Sequence, residues 1–124
     1  MVCSAGVDGL VCNAAPGALR RLDLDAASIR RRFPRPVATL VSGYGQHDER
    51  TCNDTIAQCE SGFAWLNGAE DGVSTPWPTG FFSGLYARFS TSMALLDAER
   101  KDGCIIDISL MEVASAMLLG PAAY

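Results

Sequence analysis

The sequence is short of the residues on which most chemistry at neutral pH relies. It holds one histidine, His47, so no pair of imidazoles can share a metal or relay a proton. It has no Cys-x-x-Cys pair, and its five cysteines (Cys3, Cys12, Cys52, Cys59, Cys104) are an odd number. A zinc site and a disulfide framework are both set aside on that count, and reduced thiols in a cytoplasmic protein are expected. No basic start leads into an apolar run, so no signal peptide is expected, and no apolar run is long enough to cross a bilayer. Positive charge is scarce. Lys+Arg 10 against Asp+Glu 14 leaves a net charge of −4, which speaks against a nucleic-acid partner. The one basic run, Arg30-Arg31-Arg32 with Arg35, falls at the end of an expected helix, where cations suit the dipole. There is no internal repeat and no low-complexity segment.

What is present is an apolar, element-rich chain. Hydrophobic residues make up 48% of the 124 positions, which fits a single globular domain over 1–124, with Met1 to Val7 as an ill-defined lead-in. Gly9 to Cys12, Val37 to Val41 and Cys104 to Ile108 read as short buried strands. Between them lie helical stretches: Ala18 to Leu22, Ala26 to Arg32 capped by Asp25, and Thr55 to Ser61 capped by Asp54 and ended by Gly62. Phe63 to Leu66 is ambiguous between helix and strand, and Asn67 to Thr75 is rich in turn residues. Ser109-Leu110-Met111-Glu112 is a capping box opening a last helix through Leu119. Strands alternating with helices predict an α/β fold with a largely parallel, thin sheet.

The chain is organised around Pro76-Trp77-Pro78-Thr79-Gly80 and the helix that follows to about Arg100. The prolines keep the chain extended, and Thr79 is a suitable N-cap. Phe82, Leu85, Tyr86, Phe89, Met93 and Leu96 form one helical stripe, apolar enough to need a partner. A helix N-terminus suits an anion or a reacting carbonyl, and the active site is expected there. Its first turn carries no nucleophile, only Gly80. A second candidate region is Ser42-Gly43-Tyr44-Gly45, at the carboxyl end of a strand, where open α/β sheets bind ligands.

The order of these pieces resembles a family. Asn13, Pro16-Gly17-Ala18-Leu19 and Leu22 are followed by Pro34 and a strand into Ser42-Gly43-Tyr44-Gly45-Gln46. Then come Asp54-Thr55-Ile56-Ala57-Gln58, Ser61-Gly62, Ser83-Gly84-Leu85-Tyr86-Ala87 and Asp107-Ile108-Ser109-Leu110-Met111-Glu112. This is similar to the family III CoA-transferases, the group of formyl-CoA transferase, carnitine CoA-transferase and alpha-methylacyl-CoA racemase. The resemblance runs from about Asp8 onward and matches a middle portion of a longer chain. It implies part of a Rossmann-like large domain and a reaction moving CoA between an acyl-CoA thioester and a carboxylate. CoA would be a substrate, with no covalently bound cofactor.

In the family's transferases an aspartate at the start of the long helix attacks the thioester; its place here is Gly80. In the racemases a histidine just before the matched Asp54 pairs with that aspartate; its place here is Asn53. His47 lies in a loop that is short relative to the family and is not assigned as the missing base. The family's Gly-Arg-Gly-Gln-type turn is Asp102-Gly103-Cys104. The resemblance makes Asn13 a CoA contact and Arg21 a cation near its phosphates. By residue type alone they are an asparagine ending a strand and an exposed helical arginine. Gly43, Tyr44 and Gly45 match the family's active-site loop, or form an ordinary strand-to-loop turn. No catalytic residue and no metal ligand is assigned. Family members form interlocked dimers, so a homodimer or pairing with a full-length homologue is expected. The primary reading is a truncated family III CoA-transferase, inactive as an isolated chain. The alternatives are a non-catalytic module that binds CoA or pairs with a partner, and an acyl-CoA racemase-like relative working through Asp54 or Asp107.

Overall fold

The computed structural model describes residues 7–68, 70, 72–73, 77–97 and 102–119. Three strands, β1 (Gly9–Asn13), β2 (Val37–Ser42) and β3 (Ile105–Ser109), form a parallel sheet in the order β1-β2-β3. The register sets Val11 beside Thr39 and Thr39 beside Ile106. All six residues of β2 (Val37-Ala38-Thr39-Leu40-Val41-Ser42) are buried, as a central parallel strand without a charged residue should be.

Successive residues of a strand point to opposite faces, and the two faces are filled differently. On one, Ala38 and Leu40 pack with Leu19 of α1 (Pro16–Arg21) and Ile29 of α2 (Ala26–Arg32), joined by Leu10, Cys12 and Ile105. The burial of Leu19, Ile29 and Leu40 is worth about 1.5–3 kcal/mol for each side chain. Asp25 caps α2, accepting from the N–H groups of Ala27 at 3.1 Å and Ser28 at 3.2 Å. Hydrogen bonding with Ser28 is the main reason its carboxyl sits below the ordinary aspartate value.

The other face is covered by α5 (Thr79–Leu96). The apolar stripe of this helix does not face the sheet. The buried residues are Thr79, Ser83, Ala87 and Thr91, while Phe89, Met93 and Leu96 are 65%, 70% and 78% exposed. Tyr86 is exposed too, and Phe82 and Leu85 are half-buried. The reason lies in β2. Thr39 presents a hydroxyl to this face, and Thr91 meets it at 2.6 Å while also donating to the Ala87 carbonyl at 2.6 Å. Small side chains let the helix come close enough for that contact, which turns the bulky stripe outward. The helix also ends earlier than expected, at Leu96; residues 98–101 lie outside the described residues.

The remaining helices are α3 (Asp54–Ser61), α4 (Phe63–Leu66) and α6 (Leu110–Ala116). Gly62 ends α3 at φ 85°, as a left-handed C-cap should, and the ambiguous Phe63–Leu66 segment is one short helical turn. The last helix is shorter than expected, closing at Ala116. Ser109 caps it by accepting from the Glu112 N–H at 3.2 Å, while its own hydroxyl donates to the Gly43 carbonyl at 3.2 Å. Of the lead-in, residues 1–6 lie outside the described residues.

Candidate functional site

A cleft of about 790 Å³ opens where the carboxyl ends of β1 and β2 meet the N-termini of α3 and α5. This is where an open α/β sheet is expected to hold a ligand. Part of the α5 wall is made by residues with little side chain, Gly80, Gly84 and Ala87, which leave the cleft room. A Cβ built on Gly84 would meet nothing within 4 Å.

Asp54 organises the polar end. Its Oδ1 accepts the Gly80 N–H at 2.6 Å and the Thr79 hydroxyl, and its Oδ2 accepts the Gln58 side-chain amide at 2.8 Å. Gln58 in turn accepts the Trp77 N–H at 2.6 Å, tying the approach to α5 onto α3. Two expected caps are corrected here. Asp54 does not cap its own helix; Asn53 does, with its Oδ1 on the Ile56 N–H at 3.0 Å. Thr79 is the first helical residue of α5 rather than its N-cap, a place taken by Pro78, which offers no side-chain bond. The donors at the start of α5 are served from another helix, and Asp54 supplies the negative charge that the dipole favours.

The sequence-assigned residues divide into two groups. Asn13, Asn53 and Gly80 all line the cleft. Arg21, Gly43, Tyr44 and Gly45 are not among its lining residues. Arg21 is exposed in the last turn of α1. Gly43 sits so close to Cys52 that a Cβ there would collide with it. Gly45 adopts φ 90° beside Asp107, whose carboxylate accepts the Gln46 N–H at 2.9 Å. Tyr44 lies under the Arg50 guanidinium, 3.9 Å from the ring centroid, and Arg50 pairs with Asp48 at 2.8 Å. Hydrogen bonding to the Glu60 carboxylate is the first cause pushing the Tyr44 phenol up to about 12. His47 is exposed in this loop and does not line the cleft.

Two lining residues, and the role of a third, escaped the sequence reading. Cys52 borders the cleft, but burial raises its thiol pKa, so it is a poor nucleophile. Asp54 was read as a helix cap and, in the racemase-like alternative, as a working carboxylate, but not as the partner of the α5 N-terminus. Arg88 follows Gly80 and Gly84 at four-residue steps, and that helical spacing is the signal that puts it on the cleft side of α5.

Comparison with known proteins agrees with this architecture. The model of CoA-transferase family III matches residues 4–124. A CaiB/BaiF family protein from Brucella suis superposes with a TM-score of 0.81 at 27% identity, over 94% of this chain and 32% of that one. The orthorhombic form of Rv3272 from Mycobacterium tuberculosis gives 0.77 at 21% identity, over 94% of this chain and 35% of that one, a likeness of fold. The chain thus spans about a third of the length of these solved relatives. No curated protein matches. Among the described residues, no helix is long and apolar enough to cross a membrane.

Proposed function

The chain belongs to CoA-transferase family III, and from that premise we propose that its cleft binds a CoA thioester without attacking it. The observation that carries this reading is the state of the α5 N-terminus. At the position matched to the attacking aspartate stands Gly80, whose N–H is already bonded to Asp54. A carboxylate nucleophile would exchange one difficult acyl transfer for two easier ones through an anhydride and an aspartyl thioester. Glycine brings no oxygen to start that sequence.

Asp54 does not replace it. Its two oxygens are engaged by Thr79, Gly80 and Gln58, and donors on a carboxylate stabilise the charge that an attack must share out. Racemisation has no better footing. Asn53 stands where the racemases carry a histidine, and its side-chain oxygen is committed to the Ile56 N–H. What remains is recognition: Asn13 and Asn53 supply amides beside an apolar wall, a combination suited to a pantetheine-like arm.

The test joins binding to chemistry. CoA added to the labelled chain is expected to shift the amide signals of Asn13, Asn53 and Gly80, with no CoA exchange between an acyl-CoA and a free carboxylate. In Gly80→Asp the new Cβ would sit in ordinary contact with Asp54, 3.5 Å from Oδ1. Exchange by the Gly80 chain at the same rate as by Gly80→Asp would show that the aspartate position is misassigned. Unmoved cleft signals would remove the binding reading itself.

A further inference from the structure

The cleft carries two charged lining residues among those described, Asp54 and Arg88, and their situations are opposite. Asp54 is bound by three protein donors. Arg88 makes no ion pair or hydrogen bond with any described residue. An unpaired guanidinium at the wall of a mostly apolar cleft is a ready partner for an anion, which it can take by charge-assisted, two-pronged hydrogen bonding.

Its position says where on a ligand that anion belongs. Gly80, Gly84 and Arg88 succeed one another along one face of α5, so Arg88 stands roughly 12 Å down the axis from Gly80. Ser92, one turn further, also lines the cleft and adds a hydroxyl beside it. Val11, Val41 and Ala87 contribute apolar surface to the same cleft. A ligand with its polar head at the start of α5 would lay an apolar stretch along this wall and then reach the guanidinium.

We propose that Arg88, assisted by Ser92, recognises an anionic group of the bound thioester, a carboxylate or a phosphate, at the end of the cleft away from Asp54. This rests on the thioester-binding reading above and adds the charge of the ligand to it. The planar fork of an arginine takes two oxygens of either group at once, which a lysine does not. Asp54 makes the other end unfavourable to the same anion, so the two residues together fix which way round the ligand lies.

The experiment uses the full chain and its Arg88→Ala and Arg88→Lys variants, titrated calorimetrically and by amide spectra. The probes are CoA, pantetheine, butyryl-pantetheine and succinyl-pantetheine. The variants alter an exposed side chain, so the folded spectrum is expected to persist. Arg88→Ala is expected to weaken binding of an anionic probe by about tenfold to a hundredfold and to leave its neutral counterpart unchanged, with Arg88→Lys recovering part of the loss. A loss for CoA against pantetheine identifies the anion as nucleotide phosphate. A loss for succinyl- against butyryl-pantetheine identifies it as an acyl carboxylate. Binding of every probe unaffected by Arg88→Ala overturns the role of Arg88 and leaves the thioester reading standing. If no probe moves the signals of Asn13 and Gly80, the thioester reading fails and the proposal fails with it.

Discussion

The two faces of the sheet follow different rules of construction. The α1/α2 face is an apolar core in which Leu19, Ile29 and Leu40 are closed off from water. The α5 face is joined by small and hydroxyl-bearing residues, with the Thr39–Thr91 bond at its centre and an open cleft at one end. The first is held by displaced water, which is indifferent to direction. The second depends on one directed bond and on close approach. A ligand site can coexist with the second kind of packing because small side chains leave space that a leucine-filled interface would not.

That contrast can be broken most severely on the apolar side. Leu40→Ala is expected to cost about 2–5 kcal/mol in denaturant unfolding, since a fully buried leucine leaves a cavity as well as lost transfer energy. A loss under 1 kcal/mol would mean that this face is no better packed than the other. Across the sheet, Thr91→Ala is expected to cost about 1–3 kcal/mol, because it orphans the buried Thr39 hydroxyl. The paired change Thr39→Val with Thr91→Val should recover most of that, and a double change as costly as the sum of its parts would show that the bond contributes little. The smallest expected effect has the opposite sign. Gly84→Ala should stabilise the chain by about 0.5–1 kcal/mol, since the helix gains propensity and the new methyl enters open space. Destabilisation there would show that the cleft is tighter than its geometry implies.

Legibility in the sequence follows the same division. The strands were readable because the start of β2, Val37 to Val41, is an apolar run rich in β-branched residues. Asp25, Gly62 and Ser109 were readable because each acts within two or three residues of itself. The inward face of α5 was not readable, because two stripes of that helix have helical spacing and nothing local chooses between them. The choice was made by Thr39, which lies 52 residues from Thr91 in sequence. Asp54 was misjudged for a related reason. It reads as a cap of the helix that it begins, yet it serves a helix 26 residues later, and only the folded chain brings the two together.

In the candidate site, Asn13, Asn53 and Gly80 were reachable by resemblance, residue by residue, and they do share one cleft. Arg21 and the Gly43–Tyr44–Gly45 turn came by the same route and lie outside it. Arg88 has no counterpart in the motifs that carry the likeness, so resemblance could not supply it; helical spacing from Gly80 could.

The close approach of Gly43 to Cys52 has a consequence for how this chain tolerates changes of length. The two ends of the segment between them touch, so the intervening residues leave the framework and return to nearly the same point. Adding or removing residues within such an excursion changes the closure entropy only logarithmically. Asn53 and Asp54 follow directly after the return point and keep their places. The excursion is therefore a stretch in which insertions and deletions can accumulate while the polar end of the cleft stays fixed, and a glycine at position 43 is the condition that allows this freedom.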